Sequence, residues 1–274
     1  MSQPTRATTR HEGAPATTAV RAAMPVRWTP RFLLVWVAVL ALWEVLVRVG
    51  VLRGLFLPAP SAIGQSLFTL AESGALAPHL SATLLRIAVG LGMGTAVGVA
   101  LGLLMGTSRP LQRTIDPLVA ALHPIPKLAF FPLLIVLFGV GENSKLAAVA
   151  LGAFFPMLLN TLAGVRSLNP VHLELAKNHG ATRAQLFRRI LLPGSLPMML
   201  TGLRLSSNVA FHSTIGVEMV GSRTGIGSLL WLSWQTFRID QLYAVLAVIA
   251  AIGIVLATLV RLVAARLAPW QAER

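Results

Sequence analysis

Residues 174–197 read ELAKNHGATRAQLFRRILLPGSLP. This stretch gathers three Arg, a Lys, a Glu and a His around a central Gly, and it interrupts a chain whose mean hydropathy is +0.74. Its leading edge, SLNPVHLELAKNHG, carries the punctuation of a helix. Asn169 suits the N-cap, Pro170 the first helical position and Gly180 the residue just past the end. The implied helix has about ten residues, too few to hold in water alone, so something must pack against it. The second half reopens with TRAQ, where Thr182 and Gln185 have the spacing of a capping box. Leu186, Phe187, Ile190 and Leu191 then share one face with Arg188 and Arg189 opposite, and Pro193 and Pro197 are expected to end this helix before the next apolar run. The reading is two short helices joined by a Gly turn at a membrane surface. They are either a connecting elbow or a docking knob offered to a soluble partner.

The rest of the chain supports a lipid solvent. Of 274 residues, 55% are hydrophobic and 12% charged, about half the charged share of a soluble domain. The net charge is +14, but Lys and Arg sit at segment ends and form no basic stripe interleaved with aromatics, so nucleic acid is not an expected partner. Cysteine is absent, which removes disulfides and thiolate chemistry. There is no Walker P-loop, HExxH or GxSxG, and His79, His123, His172, His179 and His212 do not fall at metal-ligand spacing. The chain is therefore expected to hydrolyse nothing itself and to bind no cofactor or metal.

Six segments are long and apolar enough for the roughly 20 residues that a bilayer requires: 32–50, 83–105, 117–139, 145–165, 198–220 and 242–262. The expected fold is all-α, a polytopic bundle of about six transmembrane helices. Fifteen Lys and Arg fall on the side of the N-terminus and five on the other, so both termini and residues 166–197 are expected to be cytoplasmic. Residues 1–31 read as a disordered basic tail, 32–265 as the membrane domain and 266–274 as a second cytoplasmic tail.

Within the spans, Gly90, Gly94, Gly98, Gly102 and Gly106 repeat every four residues, a pattern for close helix packing. Pro124, Pro126 and Pro132 are expected to kink the third span, and Lys127 beside them either snorkels to the cytoplasm or faces a translocation path. Glu44 and Arg48 are spaced to pair. The fifth span carries Arg204, Asn208, His212, Ser213 and Glu218. Polar groups at membrane depth look onto protein or water, which makes Lys127, Asn208, His212, Ser213 and Glu218 candidates for a path. His212 is equally readable as a packed neutral histidine, and Glu218 as a gate or as a partner of Arg223.

Residues 174–205 resemble the cytoplasmic loop of bacterial ABC importer permeases, whose motif runs Glu-Ala-Ala, three residues, Gly, and ends near Leu-Pro. LPAPSAIGQSL at 57–67, the run from IPKLAFFPLL at 125 to MLLNT at 161, and VEMVGSRTGIGSLLW at 217–231 are similar to the branch associated with aliphatic sulfonates, taurine and nitrate. The likeness covers about residues 55–265. It implies a type I permease fold whose loop docks into an ATP-hydrolysing subunit, with ATP bound there and not on this chain. Glu174, Ala176 and Gly180 match the motif. Leu175 departs from it, and Ala181 and Pro193 complete the implied docking set. Further implied are a pair of permease chains, an extracytoplasmic solute-binding protein and the bacterial inner membrane. An ATP-independent transporter or channel is the competing expectation, and it would carry inverted repeats.

Overall fold

The computed structural model describes residues 30–269, with side chains from residue 34. The tails expected at 1–31 and 266–274 fall largely outside the described residues. Among those described, the chain is helical with no strand. In order they are α1 (Pro30–Arg48), α2 (Pro60–Glu72), α3 (Leu76–Thr107), α4 (Arg109–Leu122), a 3-10 turn (Lys127–Phe130) leading into α5 (Phe131–Phe138), α6 (Glu142–Arg166), α7 (Pro170–Asn178), α8 (Arg183–Leu186), a π-turn (Phe187–Leu191), α9 (Leu192–Gly221), α10 (Ile226–Gln235) and α11 (Ile239–Leu267).

The centre of the bundle is α6, held between α3 and α9. Gly90, Gly94, Gly98 and Gly102 are buried along one face of α3 and meet α6 backbone to backbone. A Cβ at Gly98 would stand 2.9 Å from the Phe154 carbonyl, one at Gly102 2.9 Å from the Leu158 carbonyl, and one at Gly94 would collide with the Ala150 carbonyl. Such contact leaves no room for a side chain, which is why a four-residue Gly repeat is required. The opposite seam is closed by Ser206, whose hydroxyl donates to the Ala153 carbonyl across α6 and α9 at 2.7 Å.

By length and apolarity, α3, α6 and α11 can each cross a membrane, and the bent pair α4–α5 makes a fourth if counted as one span. α1 and α9 fill the first and fifth expected positions. Polar residues within α9 lower its apolarity, and this is the face from which the site is built.

The segment 117–139 is bent at its prolines, as expected, and sharply: its two halves meet at 95°. Pro124 and Pro126 cannot donate to the α4 carbonyls, so α4 stops at Leu122. The Lys127 ammonium takes over, donating to the carbonyls of Leu122, His123 and Ile125 at 3.1, 2.6 and 2.9 Å while lying 4.2 Å from the centroid of the Phe155 ring. One expectation is corrected: Pro193 and Pro197 do not end a helix. Leu192 N–H donates to the Phe187 carbonyl, closing the π-turn, and Pro193 lies in the first turn of α9 with Pro197 inside it. Thus α8, the π-turn and α9 follow one another with no break in the helical backbone.

At the far edge, Glu44 bonds Arg48 at 2.7 Å and also accepts from the backbone N–H and hydroxyl of Ser61 at 3.0 and 2.7 Å. This caps the first turn of α2 and ties α1 to it.

Candidate functional site

At one end of the bundle α7 and α8 form the elbow. Asn169 Oδ1 accepts from Val171 N–H at 2.9 Å, Pro170 opens the helix, and the chain turns at Gly180 with φ +73°. Gly180 N–H donates to the Lys177 carbonyl and Ala181 N–H to that of Ala176, so the last carbonyls of α7 are met by the reversing chain. Thr182 N–H donates to Gln185 Oε1 at 2.8 Å and Gln185 N–H to the Thr182 hydroxyl at 3.3 Å, completing a capping box. Between α7 and the start of α9 lies an open groove of about 910 Å³, lined in part by Leu175, Ala176, Ile190 and Pro193. Glu174 and Gly180 are exposed on the elbow itself. Leu173, Leu186 and Phe187 share a second cleft with Gly106 of α3 and Val165 of α6, so the elbow sits on the ends of the two central helices.

Along α9 the candidate path residues separate. Asn208 and His212 are both exposed and lie one turn apart, with His212 Nδ1 2.7 Å from the Asn208 carbonyl oxygen. Arg204 is exposed one turn before Asn208. Ser213 is half-buried in the seam against Gly152. Lys127 is engaged with the end of α4, as above.

Glu218 is fully buried and its partner is Arg86, not Arg223. Arg86, with a side chain 2% exposed, donates from Nη1 to Glu218 Oε1 and to the Thr224 carbonyl, each at 2.7 Å. Its other edge forks onto Glu142 at 2.7 and 2.8 Å, where Lys145 joins at 2.9 Å. The Glu218 carboxylate also accepts from the Thr83 hydroxyl at 2.9 Å and from Gly227 N–H at 2.9 Å. The Thr83 oxygen in turn takes Ile226 N–H at 2.8 Å. Two cations and two carboxylates thus fasten α3, α6 and α9 to the loop ahead of α10. Gly225, at φ +125°, lets the loop pass so close that a Cβ would reach the Glu218 oxygens at 2.5 Å. This cluster was missed from sequence, although a signal existed. A span-borne Arg requires a carboxylate, and Glu218 is a carboxylate within another span.

Among the described residues no group of His, Asp and Glu is arranged to hold a metal. What remains is a helical membrane protein with a polar face on one long helix, α9, an ion cluster fastening that helix at one end and an elbow at the other. That is the architecture of a permease. Residues 94–273 match the family described as the binding-protein-dependent transport system inner membrane component, and the chain belongs to it, as a permease component of an ABC importer.

The taurine transport system permease protein TauC of Escherichia coli (strain K12) is 33% identical over 239 residues, covering 85% of this chain and 87% of that one. The putative aliphatic sulfonates transport permease protein SsuC of Bacillus subtilis (strain 168) is 33% identical over 239 residues, covering 87% of each. In fold the chain is similar to a chain of the inward-facing MetNI methionine ABC transporter, with TM-score 0.63 and 18% identity, over 70% of this chain and 95% of that one.

Proposed function

We propose that this permease carries a small organic anion of the taurine or aliphatic sulfonate type into the cell, received from an extracytoplasmic binding protein and driven by a separate ATP-hydrolysing subunit. Both termini and the elbow lie on the cytoplasmic side. Two copies of the chain enclose the path, with the α9 face of Asn208 and His212 turned towards it and Ser213 behind. Glu174, Leu175, Ala176, Gly180, Ala181 and Pro193 form the docking surface for the ATPase. The single observation that carries the reading is the continuous run of helix from the elbow to the Arg86–Glu218 cluster. Four residues of α8, five of the π-turn and thirty of α9 span about 60 Å at 1.5 Å per residue, long enough to carry a displacement of the elbow across the membrane. The exposed polar side chains Arg204, Asn208 and His212 can all donate hydrogen bonds, which suits an anion, and the relatives transporting taurine and sulfonates support that class. Lys127 and Glu218 act beside the path as structural groups, through the α4 end and the ion cluster.

The test is uptake into vesicles holding the assembled importer with ATP inside. Labelled taurine accumulates, and unlabelled alkyl sulfonates compete while cations of like size do not. Because the chain has no Cys, a single His179→Cys reads the orientation directly. Labelling of that thiol by an impermeant reagent added outside intact cells would overturn the topology.

A further inference from the structure

At the start of α11, beside α2, lies a pocket of about 460 Å³ that neither the elbow nor the path uses. Gln65 and Ser66 of α2 and Arg238, Asp240 and Gln241 at the head of α11 line it. None of these five side chains makes a hydrogen bond or ion pair among the described residues. Gln241 is the telling one: it is only 5% exposed, lines the cavity and has no side-chain partner among the described residues. Its amide is open only to the cavity, so the cavity is where its hydrogen-bond partner comes from. Arg238 and Asp240 are both exposed and do not pair with each other, so the lining offers one fixed cation and one fixed anion within three residues.

The depth of the pocket narrows the ligand. α11 is long and apolar enough to cross the bilayer, and the pocket sits at its first turn. Trp231, Trp234 and Phe237 precede it and are exposed, as aromatic residues are at the headgroup level. On α11 beyond the pocket, Val248, Ile252, Val255 and Leu259 line a groove of about 380 Å³ shared with Leu67 of α2 and Leu84 of α3. We propose that the pocket holds the headgroup of a zwitterionic phospholipid of the phosphatidylethanolamine class. The phosphate lies against Arg238 and Ser66, the ammonium against Asp240 and the amide oxygens of Gln65 and Gln241, and an acyl chain lies in the groove along α11. A phosphatidylglycerol headgroup would set its phosphate against Arg238 likewise, but it brings no ammonium to Asp240. This assignment holds for either orientation of the chain and does not depend on the transported solute.

The test is lipid retention by the purified importer in detergent, read by native mass spectrometry, with phosphatidylethanolamine or phosphatidylglycerol added back after delipidation. The wild type retains the former in preference. Arg238→Ala and Asp240→Ala each weaken retention about tenfold, the scale of one charge-assisted hydrogen bond. Both side chains are exposed, so neither change threatens the fold. Gln241→Leu lowers retention in the same direction, and Ala251→Leu, which narrows the groove, does so without touching the headgroup site. Equal retention of the two lipids, or retention unchanged in the Arg238 and Asp240 variants, would overturn the proposal. So would tight binding of soluble glycerophosphoethanolamine together with lipid uptake indifferent to Ala251→Leu, an outcome that assigns the pocket to a free zwitterion.

Discussion

Replacing Arg86 by Leu removes the guanidinium that satisfies two carboxylates at once. Glu218 is fully buried, so its carboxylate is left with the Thr83 hydroxyl and Gly227 N–H and no cation. Removing one member of a buried ion pair costs about 3–5 kcal/mol, a large part of the 5–15 kcal/mol that holds an ordinary domain together. For a chain near this size that corresponds to a fall in melting temperature on the order of 10 °C. Glu142 gives the contrast. Its side chain is 56% exposed and keeps Lys145 beside it, so Glu142→Gln should cost about 1 kcal/mol or less. The double variant Arg86→Leu with Glu218→Leu leaves no orphaned charge and should recover at least half of the single-variant loss. Thermal unfolding of the detergent-purified protein, followed by circular dichroism, reads all three. If Arg86→Leu is no worse than Glu142→Gln, or if the double variant is worse than either single change, the cluster does not fasten α9 as described.

Three further outcomes follow from the packing and the path. Gly98→Val should destabilise by about 1–3 kcal/mol through overpacking against Phe154 and Met157, whereas Gly92→Ala, on the open face of the same helix, should be neutral or stabilising by up to about 1 kcal/mol, both by chemical denaturation in micelles. Lys127→Met strands the carbonyls of Leu122, His123 and Ile125 and should lower stability by about 1–3 kcal/mol, with a stability loss equal to that of Lys127→Arg counting against the capping role. His212→Ala and Asn208→Ala should lower ATP-driven uptake while leaving the melting temperature within about 2 °C, since both side chains are exposed and surface changes are small.

The elbow was legible because its signals are local. Asn169, Pro170, Thr182 and Gln185 act within one helical turn of where they stand, so sequence spacing is sufficient to place them. The Gly repeat of α3 was legible for a related reason: only a backbone approaching along the whole length requires a small residue at every fourth position. The Arg86–Glu218 pair spans 132 residues, and nothing near either residue names its partner, so Arg223, five residues from Glu218, was the available guess. The passage of α9 through Pro193 and Pro197 was likewise hidden. Proline breaks an isolated helix, but the π-turn ahead of Pro193 shifts the hydrogen-bond pattern, with Leu192 N–H donating to the Phe187 carbonyl. Lys127 could be placed within the broken span, but its acceptors could not, because they come together only once the chain has turned by 95°.

The most direct test of the whole account is co-purification of the ATPase subunit with the permease carrying Glu174→Arg and Gly180→Val together. The first reverses the charge of an exposed side chain on α7. The second forces a β-branched residue into φ +73°, where such residues are strained, yet it meets no neighbour within 4 Å and so spares the bundle. The account predicts that the wild type brings the ATPase with it, and that the double variant melts within a few degrees of wild type but arrives without the ATPase. A double variant that retains the ATPase in full amount would contradict it.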